Sequence, residues 1–175
     1  MEEVLPVIPS TIQRTSCACP DCAAGCKSMP GCLIPGDLEK IQEFVGDHSG
    51  EFILNNFLAS PGPTALRIDN GVVTKLSCPT IVPAQREDGS CVFLDENSLC
   101  RIHEVSPFGC GYCDDHMSDA QADMRSKFAV TAQLNSHKVG ARYSQVWLLL
   151  HSLGLVATPL RERKAAMQQK MEGRT

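Results

Sequence analysis

Cysteines carry the chemistry of this sequence. Nine of its ten cysteines fall in two short windows, residues 17–32 and 91–113. Each window contains a Cys-x-x-Cys step, CPDC at 19–22 and CGYC at 110–113. A tight turn of this kind brings two sulfurs to one metal ion, at about 2.3 Å from zinc. The two steps and the thiols around them predict a thiolate metal site that draws on both windows.

The candidate ligands lie in these windows or at a turn between them. Cys22 and Cys26 are four residues apart, so a helical turn would place them on the same side. A lone thiol is often simply a small buried residue, and Cys32 is left open for that reason. The predicted metal ligands are Cys17, Cys19, Cys22, Cys26, Cys78, Cys91, Cys100, Cys110 and Cys113.

Two other uses of cysteine are weighed against metal binding. Residues 1–16 lack the basic-then-apolar order of an export signal, and a reducing cytosol disfavours structural disulfides. Thioredoxin-like redox chemistry at 110–113 would need its first cysteine at a helix N-terminus after a strand. The many Pro and Gly residues of 78–113 predict loops instead. The sequence therefore predicts a cytoplasmic protein whose cysteines bind metal.

The identity of the metal stays open, because zinc and iron–sulfur clusters both accept four thiolates. An all-thiol set with few histidines favours an iron–sulfur cluster modestly over Zn²⁺. His116, three residues after Cys113, could complete a Cys/His site, although a surface role is the more common one for such a histidine. An iron–sulfur cluster would suit electron transfer or support of a partner's chemistry, whereas zinc would suit a structural or interaction module.

Composition excludes several other classes of function. The formal net charge of −4 disfavours binding to nucleic acid. The longest strongly apolar run, 146–150, is far shorter than the roughly 20 residues that span a bilayer. The sequence has no phosphate-binding glycine loop, nucleophile elbow or zinc-protease helix. A metal ion is the expected partner, a protein partner is left open, and no catalytic constellation indicates an enzyme.

Local patterns predict the elements that position the cysteines. Apolar residues at helical spacing after Asp37, a favourable N-cap, predict a helix over 37–46 with Gly46 as its stop. A second short helix is predicted over 51–60, ended by a Pro-Gly-Pro sequence.

The remaining elements follow from turn and capping signals. The sequence DNG at 69–71, between runs rich in β-branched residues, predicts a β-hairpin. A capping box at Ser118 and Gln121 predicts the start of the C-terminal helical part. We expect a break near 135–140 and then a second helix that stops at Gly154.

These elements predict an α+β fold, a small irregular Cys-rich metal-centred domain with a short hairpin and C-terminal helices. We divide the chain into an extended N-terminal segment at 1–16 and a cysteine-cluster domain at 17–117. A helical part at 118–154 would pack on that domain, and a basic tail at 155–175 would follow.

The cysteine motifs resemble those of the YkgJ-like cysteine-cluster family. The second half of the family pattern is similar to CVFLD at 91–95 and CRIHEVSPFGC at 100–110. Its opening cluster, of the type C-x-x-C-x-x-C-C, matches Cys19, Cys22 and Cys26, with a glycine where another cysteine is usual.

The resemblance covers about residues 17–116 and leaves the C-terminal helices outside it. It implies a domain that chelates zinc or iron, related to part of the flagellin lysine methylases. This chain has His103 where the family has a tyrosine, so we expect its ring to pack. Cys113 is an additional thiol, and Cys17 could compensate for the missing cysteine at Gly25.

Overall fold

Short helices and two small antiparallel sheets form the α+β fold that the sequence predicts. The computed structural model of the chain describes residues 5–15, 17, 19–136, 141–158 and 162. Within these ranges no helix has the length and apolar character needed to cross a membrane. The elements are α1 Pro20–Ser28, α2 Asp37–Val45, α3 Gly50–Asn56, β1 Phe57–Ser60, β2 Thr64–Asp69, β3 Val72–Ser77, β4 Thr80–Pro83, a 3-10 turn His103–Val105, α4 Phe108–Gly111, α5 Asp119–Ser136 and α6 Arg142–Ser152.

The helix predicted over 37–46 is present as α2, and Gly46 ends it in the left-handed conformation at φ +74°. The predicted N-cap is wrong, because Gly36 occupies that position and Asp37 is the first helical residue. The buried Asp37 carboxylate instead accepts hydrogen bonds from the Ile34 amide at 3.0 Å and the Phe108 amide at 2.8 Å. It therefore joins the start of α2 to the start of α4.

The second predicted helix is wrong for its last four residues. Helix α3 ends at Asn56, and Phe57–Ser60 form strand β1, which pairs antiparallel with β4. Phe57 and Ala59 are both fully buried on the side of this strand that packs in the core. The strand forms because it pairs with β4, whose residues lie 20 to 26 positions further along the sequence. Local spacing does not reveal such a partner.

The predicted hairpin and the predicted helix start are both confirmed. Strands β2 and β3 pair around Asn70 and Gly71, whose φ angles of 50° and 79° suit a tight hairpin turn. At the start of α5, the Ser118 amide donates to Gln121 Oε1 at 3.0 Å and the Gln121 amide donates to Ser118 Oγ at 3.4 Å. These two bonds are the expected capping box.

Helix α6 ends at Ser152, and Gly154 follows it at φ +73°, as the stop signal predicts. The expected break near 135–140 falls mainly on residues 137–140, which lie outside the described residues. Most of the predicted basic tail lies outside them as well, namely 159–161 and 163–175.

Two apolar clusters hold the cysteine windows in place. The larger one joins α2, α3, β1 and α6 to buried residues at 91–102. The smaller one packs Ile34 and Phe108 against α5. The Tyr143 hydroxyl of α6 donates to the Leu33 carbonyl at 2.8 Å, so the C-terminal helices support the segment that follows the first cysteine window.

The backbones of the two windows come into direct contact at a pair of glycines. A Cβ on Gly31 would lie 2.1 Å from the carbonyl carbon of Gly109, and one on Gly109 would lie 2.5 Å from the Cys32 amide nitrogen. The Gly109 amide donates to the Cys32 carbonyl at 2.9 Å. Only glycine allows so close an approach of two backbones.

Gly31→Ala should therefore destabilise the protein, whereas Gly25→Ala should not. The new methyl group at Gly31 meets backbone that cannot move aside, and we expect a loss of about 1–3 kcal/mol or more in the free energy of unfolding. Gly25 lies within α1 with nothing within 4 Å of its Cβ position, so alanine there should gain up to about 1 kcal/mol.

Urea unfolding of both variants, prepared with equal metal content and reductant, measures the difference. Equal unfolding midpoints in the two variants would show that the glycine contact is not needed.

Candidate metal centre

The N-terminus of α1 positions two sulfurs of the first window. Cys19 is the N-cap, and its Sγ accepts a hydrogen bond from the Cys22 amide at 3.5 Å. Thus the thiol takes the place of the serine or aspartate oxygen that usually caps a helix. Pro20 follows at the first helical position, where its fixed φ angle favours helix initiation. The CPDC step therefore folds as a helix start, with Cys19 as the N-cap and Cys22 in the first turn.

Asp114 ties the start of the first window to the end of the second. Its Oδ2 accepts from the Thr15 hydroxyl at 2.6 Å, and its Oδ1 accepts from the His116 amide at 2.9 Å. The Cys17 amide donates to Thr15 Oγ1 at 3.2 Å, which fixes the backbone just before the first sulfur. The Thr15 amide also donates to the Gly111 carbonyl at 2.8 Å. One carboxylate thus positions both segments.

Four ligand atoms converge beside this carboxylate. The sulfurs of Cys17, Cys19 and Cys22 and a ring nitrogen of His116 all lie within 4.8 Å of one another. We call these four residues the Cys3His group. Cys19 Sγ and His116 Nε2 are 3.2 Å apart. Around a tetrahedral zinc ion, sulfurs at about 2.3 Å from the metal lie roughly 3.8 Å from one another. The distances between the ligand atoms of the group are therefore close to those expected around a bound zinc ion.

The electrostatics of the Cys3His group suit a cation. The Cys22 amide and then the His116 ring lower the pKa of Cys19 to about 6, so its thiolate is readily available. The Asp115 amide lowers the pKa of Cys22, but burial and the neighbouring thiols of Cys17 and Cys19 outweigh it and raise the pKa to about 11. A second thiolate is costly beside the first, and a bound divalent cation removes that cost.

A second set of thiols lies close to the first. Cys26, one turn further along α1, is hydrogen-bonded through its side chain to Cys110 of α4. The Cys91 amide donates to the Cys26 carbonyl at 2.9 Å. Cys91 and Cys100 lie near Cys26 at the edge of the larger apolar cluster. We call Cys26, Cys91, Cys100 and Cys110 the four-thiol group.

The other predicted ligands lie elsewhere. Cys78 is fully buried between β3 and β4, and its amide donates to the Pro63 carbonyl at 3.0 Å. Cys113 is exposed. Neither belongs to the Cys3His group, and their role as ligands stays a prediction. Cys32, which the sequence left open, is a thiol whose pKa burial raises to about 11, beside Asp37.

His103, in the second window, and His116, just after it, reverse the roles expected of them. His103 is exposed, so the expectation that its ring packs is wrong. Its backbone carbonyl accepts a hydrogen bond from Arg14. His116, for which a surface role was preferred, is exposed but belongs to the Cys3His group. Its spacing from Cys113 was the sequence signal that pointed to it, although Cys113 is not its partner in the group.

An open cleft of about 180 Å³ connects the two sets of thiols. It gives solvent, and ions in it, access to sulfurs of both groups. Its lining includes Cys22, Cys26, Cys110, Cys113, Asp114 and Asp115. The carboxylates at this cleft add negative charge that favours the approach of a cation.

The family comparison covers the residues of both thiol groups except Cys17. Residues 18–137 match the model of the CxxCxxCC family, described as "Putative zinc- or iron-chelating domain". The chain belongs to this family. The match confirms the cysteine-cluster family expected from the motifs and extends it through α5, which the resemblance had left outside. Searches of curated proteins and of solved structures found no match to the chain. Family membership and the Cys3His group together support metal binding.

Asp114→Ala should weaken metal binding without removing a ligand. The substitution releases both the Thr15 hydroxyl and the His116 amide, and losses of such supporting contacts typically reduce metal affinity by roughly 10–100-fold. Competition with a colorimetric chelator for zinc measures the change in affinity.

Asp47→Ala is the matched control. Asp47 makes the same kind of turn, accepting from the Ser49 amide at 2.9 Å before α3, and it is not part of the Cys3His group. An equal loss of affinity in both variants would show that Asp114 does not position the site.

Proposed function

We propose that this protein binds a zinc ion through Cys17, Cys19, Cys22 and His116, and that the ion serves as a structural clamp. The observation that carries the proposal is the convergence of three sulfurs and a ring nitrogen within 4.8 Å, from segments about a hundred residues apart. Three thiolates and one imidazole are a common ligand set of structural zinc sites.

The clamp would join the N-terminus of α1 to the segment that follows α4. Because the ligands bind only as thiolates and neutral imidazole in the folded chain, the binding energy of the ion becomes folding energy. Four protein ligands leave no open position for a substrate or water, which separates structural from catalytic zinc sites. The proposed role is therefore stabilisation of an interaction module, not catalysis, in a reducing compartment such as the cytoplasm.

Zinc is preferred at this group because of His116. The sequence favoured an iron–sulfur cluster on the strength of an all-thiol set, but imidazole in the ligand set is more usual for zinc. Zinc would supply no redox chemistry, so an electron-transfer role does not follow from this group. An iron–sulfur cluster with such a role stays the second candidate, and the nearness of four further thiols is the observation that favours it.

Anaerobic purification followed by elemental analysis and visible spectroscopy separates the two candidates. Zinc in a colourless protein is the expected result. Iron with acid-labile sulfide, and a visible band that dithionite bleaches, would instead support the iron–sulfur candidate.

His116→Ala tests the ligand assignment directly. With one ligand removed, we expect the zinc affinity of this group to fall by more than the roughly 10–100-fold typical of losing a supporting contact. The thermal stability of the zinc-loaded protein should fall in parallel. Chelator competition and thermal unfolding are the measurements.

Two further histidine variants complete this experiment. His116→Cys retains four ligands and should restore zinc binding. His103→Ala removes an exposed histidine that lies outside the group and should change nothing. Unaltered zinc affinity in His116→Ala would overturn the proposed site.

A further inference from the structure

The four-thiol group draws its members from three separate parts of the fold. Cys26 comes from the second half of α1, and Cys110 comes from α4. Cys91 and Cys100 flank a turn-rich loop and are held by isolated bridges to Gln85 and Leu94. The four-thiol group shares no residue with the Cys3His group, so the geometry of the Cys3His group does not explain why these four cysteines lie near one another.

Electrostatic interaction joins most of these sulfurs to one another. Burial raises the pKa of Cys91 to about 11, and the nearby sulfurs of Cys100 and Cys26 contribute further. Burial and the nearby sulfur of Cys26 likewise raise the pKa of Cys100. Charge–charge effects of this kind connect five of the six pairs that four sulfurs can form: Cys26 with Cys91, Cys100 and Cys110, and Cys91 with Cys100 and Cys110.

Backbone amides favour the thiolate form at three of the four sulfurs. The Gly31 amide donates to Cys110 Sγ at 3.1 Å. The Phe93 amide lowers the pKa of Cys91 and the Ile102 amide lowers the pKa of Cys100, although burial outweighs both effects. Hydrogen bonds from N–H groups are stronger to a charged acceptor than to a neutral one. They also orient the sulfurs as outer hydrogen bonds orient metal ligands.

Arginines balance the charge that four thiolates would carry. A divalent ion with four thiolates has a net charge of −2. Arg86 acts favourably on Cys91, and Arg14 and Arg101 act favourably on Cys100. Arg101 donates to the Val92 carbonyl at 2.9 Å, and Arg86 donates to the same carbonyl at 3.0 Å. The positive charges of Arg86 and Arg101 are therefore fixed to the loop that carries two of the sulfurs.

We propose that Cys26, Cys91, Cys100 and Cys110 form a second metal centre, separate from the Cys3His group, which holds one thiophilic divalent ion, zinc or ferrous iron, by four thiolates. Helix α1 then contributes one ligand to each centre, Cys22 to the first and Cys26 to the second. The opening motif of the family is thus divided between two ions. This proposal does not rest on the function assigned to the Cys3His group.

Binding must draw the four sulfurs closer together. Of the residues that the structure describes, only the Cys3His group has three or more ligand atoms within 4.8 Å of one another. A tetrahedral ion needs sulfurs roughly 3.8 Å apart. We therefore expect the ion to order the loop between Cys91 and Cys100, and amide hydrogen exchange in that loop should slow when metal is added.

Cobalt(II) titration of the reduced full-length protein tests the proposal, because the intensity of the sulfur-to-cobalt charge-transfer band grows with the number of thiolate ligands. The unaltered protein should bind two equivalents. His116→Ala should keep one equivalent, with the spectrum of a four-thiolate tetrahedral site. Elemental analysis of the protein as purified then tells zinc from iron.

Cys100→Ser should remove the second equivalent and leave the Cys3His spectrum. Cys100 is chosen because it is only half-buried, whereas Cys91 is part of the core. Cys32→Ser, outside both groups, is the matched control and should retain two equivalents.

If His116→Ala and Cys100→Ser lost the same cobalt ion, so that both variants kept the same remaining spectrum, the proposal would be overturned in favour of one shared centre. Full cobalt binding by Cys100→Ser would also overturn it. Failure of His116→Ala alone to change binding would count against the Cys3His site and leave the four-thiol centre standing.

Discussion

The close contact between two glycine-containing backbones is the constraint on which both thiol groups depend. Gly31 and Gly109 meet without room for a Cβ, and the Gly109 amide donates to the Cys32 carbonyl at 2.9 Å. This contact brings α4 against the chain that leaves α1. The same approach lets the Gly31 amide reach Cys110 Sγ. A side chain at the crossing would push the two cysteine windows apart and move the sulfurs of one window away from those of the other.

Helix α1 determines how the sulfurs of the first window are shared. Cys19 caps the helix, Cys22 lies in its first turn and Cys26 lies one turn later, about 6 Å further along the axis. Cys22 therefore faces Cys17 and His116, while Cys26 faces Cys110. The separation keeps the two sets of thiols apart, since one compact set of so many thiolates would require more cationic charge than a single ion supplies.

The C-terminal helices belong to the structure that supports these sulfurs. Helix α5 packs Phe128 against Phe108 at the start of α4, with ring centroids 5.3 Å apart. Helix α6 fixes the segment after the first window through Tyr143, whose hydroxyl donates to the Leu33 carbonyl at 2.8 Å. The sulfurs thus lie at the boundary between a packed core and an open cleft, through which an ion can enter.

The sequence by itself determined the chemical class of the protein and several of its local elements. Clustered thiols with Cys-x-x-Cys spacing indicated a metal-binding family, and capping and turn residues predicted α2, the hairpin and the start of α5, because these signals act over a few residues. Only the tertiary structure decided that residues 57–60 form a strand. It also decided that His116 lies beside the sulfurs of Cys17, Cys19 and Cys22, and that Cys26 interacts with Cys110 and not with those three cysteines. Those outcomes depend on partners twenty to about a hundred residues away. Local spacing carries no information about such partners, because backbone crossings and core packing bring them together.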